Sequence, residues 1–251
     1  MTETASEHAT SRGRIPRQSV IVALAIYFLT GLGLGWLWRA GFAEQDAVHG
    51  YMMWYQGKFG IGEPRNTWLG VPVWKTPLDM WVYQEIIYRT RPDVLVESGT
   101  YKGGSALFFA TIFQMIGNGQ VITIDIVPYL GRPENGRITY LLGSSTSNAV
   151  IEKVKSLVRQ GDRVMVVLDS DHHKEHVLNE LRLYSPLVTV GCYLVVEDTS
   201  WRVWPPPGQT YPNPMDAVEE FLKTNHEFTQ DRDCEKFGVT TFRGGCLERT
   251  N

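Results

Sequence analysis

The chain has 251 residues, 43% hydrophobic and 20% charged, with a net charge of -3. Those totals allow one large globular domain with a sizeable core, and room for a small appendage. The charge balance gives no electrostatic case for nucleic acid, so no such partner is expected. Cys192, Cys234 and Cys246 are widely spaced and in no CxxC pattern, which argues against a disulfide framework and against a zinc site.

Residues 1–19 are polar and read as a disordered tail. Residues 20–38, VIVALAIYFLTGLGLGWLW, carry no charge. As a helix they rise about 28 Å, close to a bilayer's hydrocarbon thickness. Arg12, Arg14 and Arg17 precede the run and Trp36, Trp38 and Arg39 end it, as interface anchors do. A membrane anchor is therefore expected. The rivals are a signal peptide, for which no small-residue cleavage site stands out, and a buried or oligomer-forming helix. Residues 39–90 form an aromatic-rich cap, with Tyr51, Trp54, Tyr55, Trp68, Trp74, Trp81, Tyr83 and Tyr88 interrupted by prolines. Most of these rings are expected to pack the cap, and one or two to stack on a flat or sugar-like substrate.

From residue 91 to the end the pattern is strand, helix, strand, helix. Strands are predicted at 94–96, Gln120–Asp125, Ile138–Leu142, Val164–Leu168 and Tyr193–Val196, with two more near Phe228 and near 240–243. Helices are predicted at 79–90, 106–116, 147–160, Lys174–Tyr184 and 215–225. Such alternation means an α/β fold, a doubly wound and mostly parallel seven-stranded sheet. The loop 201–214, WRVWPPPGQTYPNP, is rich in proline and tryptophan.

Ligands of open α/β sheets bind beyond the carboxyl ends of the strands. The polar residues there are Glu97, Asp125, Ser144, Ser145, Asp169, Asp171, His172, Glu197 and Asp198. The organising stretch is 93–105, DVLVESGTYKGGS: a strand, a glycine turn and a helix N-terminus. Its Gly99-x-x-x-Gly103-Gly104 spacing is wider than the GxGxxG of dinucleotide sites. Glu97 suits a cationic group, and Asp125 suits ribose hydroxyls. A nucleoside with a zwitterionic tail fits both, which points to S-adenosylmethionine; Thr100, Ser105, Ser144, Ser145 and Asp169 complete the expected cosubstrate wall. LDSDHHK (168–174) and VVED (195–198) close adjacent strands with hard oxygen donors, which suit Mg2+. His172, or failing that Lys174, is near enough to take a proton from a bound hydroxyl.

The segments WKTPLDMWVYQEI (74–86), VESGTYKGGSALFFA (96–110), LDSDHHKEHVLNEL (168–181), YLVVEDT (193–199) and EKFG (235–238) resemble the cephalosporin hydroxylase family. Within it they are most similar to the rhamnosyl O-methyltransferases. The resemblance implies a class I methyltransferase fold, S-adenosylmethionine as methyl donor, Mg2+ held by three carboxylates, and methyl transfer to oxygen. Glu97, Gly99 and Gly103 match the family's cofactor turn and Asp125 its ribose acid. Asp171, Glu197 and Asp198 match its metal triad, with Asp169 a rival for the first position.

The acceptor expected from this resemblance is a rhamnosyl-like sugar on a glycolipid or natural product. The alternative is an O-methyltransferase or hydroxylase-type enzyme acting on an antibiotic or other small molecule. Counting Lys and Arg around 20–38 would send the domain across the membrane, whereas the cosubstrate is cytosolic. A shallow monotopic helix reconciles the two, so the expectation is a membrane-associated protein whose catalytic domain faces the cytoplasm. Self-association into a homo-oligomer is compatible with this reading.

Overall fold

Short runs of β-branched residues buried on both faces build the centre of the protein in this computed structural model. It describes residues 66–206 and 208–251, together with 27, 28, 30, 50–52 and 55. The chain divides into two compact units, Met1–Ala47 and Val48–Asn251. The expected tail, and all of the expected membrane helix except Tyr27, Phe28 and Thr30, lie outside the described residues. Those three are helical, with Tyr27 and Phe28 exposed. Among the described residues no helix is long and apolar enough to cross a membrane.

From residue 66 the second unit runs through a small hairpin, β1 (Thr67–Trp68) and β2 (Val71–Pro72), and helix α1 (Pro77–Thr90). The sheet and its helices follow: β3 (Val94–Ser98), α2 (Gly104–Ile116), β4 (Gln120–Asp125), β5 (Ile138–Leu142), α3 (Asn148–Leu157), β6 (Val164–Leu168), α4 (Lys174–Tyr184), β7 (Tyr193–Val196), α5 (Pro214–Thr224), β8 (Phe228–Gln230) and β9 (Cys246–Arg249). Strand order is β5-β4-β3-β6-β7-β9-β8, with β9 antiparallel to both its neighbours. This is the doubly wound, mostly parallel seven-stranded sheet that the strand pattern predicts, and it fits the class I methyltransferase fold that the resemblance implies.

Side-chain alternation along each strand divides the core into two layers. Val94, Val96, Val164, Val166, Leu194 and Val196 pack against α3, α4 and α5. Leu95, Met165, Val167, Tyr193 and Val195 face the opposite layer, with α1 and α2. Helix starts follow local chemistry. Thr76 caps α1 through the Asp79 N–H, ahead of Pro77, and Asn213 and Asp216 form a reciprocal capping box on α5.

Two sequence expectations give way here. The last strand is Cys246–Arg249 rather than 240–243. The β-branched Thr240 and Thr241 are committed to polar contacts described below. Cys234 and Cys246 form a disulfide, Cα to Cα 6.4 Å, because β9 returns beside the short 3-10 turn Arg232–Glu235. The odd count then has a simple reason, since Cys192 is the buried unpaired cysteine among the described residues.

Candidate active site

The sheet order reverses direction between β3 and β6, and there the two strand ends meet. Gly99 has φ +91°, and a Cβ on it would stand 1.8 Å from the Asp169 carbonyl oxygen. Only glycine allows the turn to lie flat against β6. Gly99→Ala should therefore cost on the order of 2 kcal/mol from the left-handed backbone alone, before any displacement of Asp169. Urea unfolding reads the first effect and calorimetric titration of S-adenosylmethionine the second. An unchanged variant would remove the close approach as the reason for glycine here.

Over this junction opens a cavity of 810 Å³. Its lining includes Gly99, Thr100, Ser105, Asp125, Ser144, Ser145, Asp169, Asp171, His172, Glu197 and Asp198, so most residues named from the sequence meet in one place. Gly103 and Glu97 stand just behind. Gly103 (φ 85°) is the N-cap residue of α2, and a Cβ there would press on Pro133. Glu97 is fully buried. Its Oε2 accepts from Thr123 Oγ1 at 2.7 Å, and among the described residues its Oε1 has no hydrogen-bond partner. Burial pushes its carboxyl up to about 7, against the pull of Lys75, Ser105 and Thr123.

The half of the cavity around Asp125 is held from its own loops. Asp125 ends β4 and accepts from the Tyr101 N–H at 2.7 Å and the Val127 N–H at 2.9 Å. Arg132 lies 3.1 Å from the same carboxylate and donates to the Tyr101 and Val127 carbonyls. It thereby pins loop 126–132 over Asp125. Thr100 Oγ1 bonds Thr123 Oγ1 at 2.6 Å. Ser144 Oγ meets Thr146 Oγ1 at 3.0 Å, and Ser145 Oγ meets His176 Nε2 at 3.1 Å.

The acidic half divides differently from the sequence reading. Asp169, His172 and Asp198 each offer one ligand atom within 4.8 Å of the others. His172 Nδ1 is 3.5 Å from Asp198 Oδ2, and its ring lies against Trp201 at 4.5 Å. Asp171 is outside this set. Its Oδ1 accepts from the His173 backbone N–H and sits against His173 Nδ1, both at 2.7 Å. Glu197 lines the cavity and already has three partners: Oε1 takes Lys75 Nζ and Tyr83 Oη at 2.6 Å each, and Oε2 takes Thr241 Oγ1 at 2.8 Å. Lys174 starts α4 and turns away from the cavity, its Nζ 2.7 Å from Glu220 on α5, so it is badly placed as a base.

Electrostatics fit a cation. Burial, reinforced by Asp169 and Glu197, pushes Asp198 up to about 7, with His172 and Lys75 pulling it down. Burial likewise raises Asp169 despite Lys75. Glu197 is the opposite case. Burial would raise it, but Lys75 and three hydrogen bonds hold it below the usual carboxylate range. Two carboxylates crowded into a site they resist charging supply the hard oxygen donors that Mg2+ takes, and the His172 imidazole beside them is a softer group.

Several contributors were not singled out in the sequence. Lys75 is 2% exposed and lies 3.0 Å from Asp169. Asp79 is buried; burial and Glu197 push it up to about 6, its Oδ2 accepts from the Thr241 N–H, and it lies 2.9 Å from Thr241 Oγ1, whose single proton it shares with Glu197. Lys75 and Asp79 are the only charged residues between 66 and 84, a signal that was available. Of the cap aromatics, Tyr83 packs edge-on to Phe109 and Phe242, and Trp68 to Phe108. Tyr55 and Trp74 line the cavity, while Trp81 and Tyr88 face solvent.

Comparison with known proteins gives the family and supports the fold. Residues 63–250 match the family model described as rhamnosyl O-methyltransferase/CmcI. A rhamnosyl O-methyltransferase of Mycobacterium tuberculosis (strain ATCC 25618 / H37Rv) is 36% identical over 224 residues, covering 84% of this chain and 91% of the relative. That of Mycobacterium leprae (strain TN) is 35% identical over 211 residues, covering 79% and 89%. A solved structure of CmcI in its D160 form with Mg and SAM superposes with a TM-score of 0.57 at 22% identity, over 74% of this chain and 77% of that one. The superposition speaks for the fold.

Proposed function

Since the chain belongs to the rhamnosyl O-methyltransferase/CmcI family, we propose that it is an S-adenosylmethionine-dependent, Mg2+-assisted O-methyltransferase acting on a hydroxyl of a rhamnosyl-like sugar, carried by a glycolipid or natural product. The observation that carries this is the meeting, in one cavity at the strand ends, of the Asp125 loop with the Asp169, His172 and Asp198 set.

Asp125 and the Gly99 turn receive the nucleoside, and Glu97 supplies negative potential behind the turn for its cationic end. Asp169 and Asp198 are the proposed metal ligands, with Glu197 beside them, and the His172 imidazole is left free to act as a base. A divalent ion held there supplies Lewis-acid polarisation of the acceptor hydroxyl and lowers its pKa. His172 takes the proton at that oxygen, oriented by Asp198. Trp74, Trp201 and Pro206 wall the cavity, offering flat faces to a sugar ring and excluding water. The chain's part in the rate is chiefly positioning of the oxygen for in-line attack. A hydroxylase reading is weaker, because one imidazole with two carboxylates is not the two-His-one-carboxylate set of non-haem iron oxygenases.

The test is turnover of rhamnosides with S-adenosylmethionine, with and without EDTA, read by mass spectrometry as a gain of one methyl group. Methylation that EDTA abolishes is expected. Binding of NAD instead of S-adenosylmethionine in calorimetry would overturn the reading. Membrane association through residues 20–38, with the catalytic unit facing the cytoplasm, is part of the same proposal and rests on the uncharged run. Its test is fractionation of cells expressing the full chain, where recovery wholly in the supernatant would count against it.

A further inference from the structure

A lysine stands inside the acidic site with no place in the scheme above. Lys75 Nζ touches Asp169 Oδ2 at 3.0 Å and Glu197 Oε1 at 2.6 Å, and it lines the cavity. Its backbone is fixed from both sides. Asn66 Nδ2 donates to its carbonyl at 3.1 Å, and Thr76 and Pro77 begin α1 immediately after it. Its aliphatic stem carries the ammonium 5.4 Å over the Tyr83 ring, whose hydroxyl shares Glu197. Burying an ammonium this deeply is costly unless the charge is matched. It is matched here by carboxylates that face a proposed metal position. Facing Asp169, Glu197 and Glu97, it stays protonated well above its ordinary range even though burial alone would lower it.

We propose that Lys75 is a built-in cation that shares Asp169 with the divalent ion and sets how tightly that ion binds. This rests on the metal site proposed above. Asp169, Glu197 and Asp198 with one ammonium leave two negative charges, which one divalent ion balances. Without the ammonium the same site carries a third negative charge and attracts the ion more strongly. Lys75 is thus a positioning residue. It holds the buried carboxylates in place before the ion arrives, and it weakens the ion's hold enough for exchange.

The experiment is calorimetric titration of Mn2+ into the wild-type chain and into Lys75→Met and Lys75→Gln, with S-adenosylmethionine binding as the check on folding. Each neutral variant should bind Mn2+ at least about tenfold more tightly than the wild type, and its melting temperature in EDTA should fall and recover on adding Mn2+. Equal or weaker Mn2+ binding in folded variants overturns the proposal. A second reading uses the wild type alone: Mn2+ should speed acetylation of Lys75 by acetic anhydride, because the ammonium loses its share of Asp169, and an unchanged labelling rate counts against it. Failure of the wild type to bind Mn2+ at all would instead sink the metal site itself.

Discussion

Asp169→Asn should lower kcat/KM for methyl transfer by roughly 100- to 10,000-fold, the range of losing about 3 to 5 kcal/mol of transition-state stabilisation. Asp171→Asn should stay within about tenfold of the wild type. The contrast rests on where two neighbouring carboxylates point. Asp169 closes β6, is anchored by its N–H to the Ser98 carbonyl at 3.0 Å, and shares a 4.8 Å cluster with His172 and Asp198. Asp171 begins the turn into α4, half-exposed, and its Oδ1 is taken by the backbone and ring of His173. Removing the Asp169 charge leaves Asp198 as the one remaining carboxylate of the pair for the ion. Removing the Asp171 charge frees a surface imidazole that Tyr211 still stacks upon at 4.0 Å. Steady-state rates across a Mg2+ series, with S-adenosylmethionine affinity from calorimetry, separate metal use from cosubstrate binding. An inactive Asp171 variant beside an active Asp169 variant would return the first metal position to Asp171.

The parts of the molecule that local chemistry determines were readable in advance. VLVES, QVITID and VMVVL are apolar, β-branched and short, and they form the parallel centre of the sheet at the predicted places. Because such strands end in a known relation to the cavity, the polar residues at their ends could be named as well. What stayed hidden depends on contacts between distant parts of the chain. Lys75 reaches Asp169 and Glu197 across 94 and 122 residues. Thr241 looked like strand, yet it bonds Asp79, 162 residues away. Lys174 is next to the HH pair in sequence, but the start of α4 turns it to Glu220 on a neighbouring helix. The disulfide likewise required knowing that β9 doubles back. Asp169 and Asp171 sit two positions apart, and only the turn after β6 tells them apart.

Glu97→Gln should make the ligand-free protein more stable at pH 8 and weaken its hold on S-adenosylmethionine. The Glu97 carboxyl rises on folding from its ordinary 4.5 to about 7, because it is buried, and among the described residues one of its oxygens lacks a hydrogen bond. Between those two pH values the folded chain keeps a proton that the unfolded chain has released. Folding stability from this group therefore falls as pH rises through the window, by about 3 kcal/mol in all, and the loss is complete above pH 7. A glutamine does not ionise, so the variant should match the wild type near pH 4 and exceed it by about that amount at pH 8. Urea unfolding at both values reads the difference, and equal slopes against pH would show that Glu97 is not the group responsible. The functional side follows from the same burial. A carboxylate that is costly to charge in the empty site is repaid when a cation lies against the turn, so the variant should bind S-adenosylmethionine roughly tenfold or more weakly. S-adenosylhomocysteine lacks the sulfonium charge but keeps the ammonium. Comparing the two ligands in the variant therefore tells which positive group Glu97 serves: equal losses point to the ammonium, and a loss confined to S-adenosylmethionine points to the sulfonium.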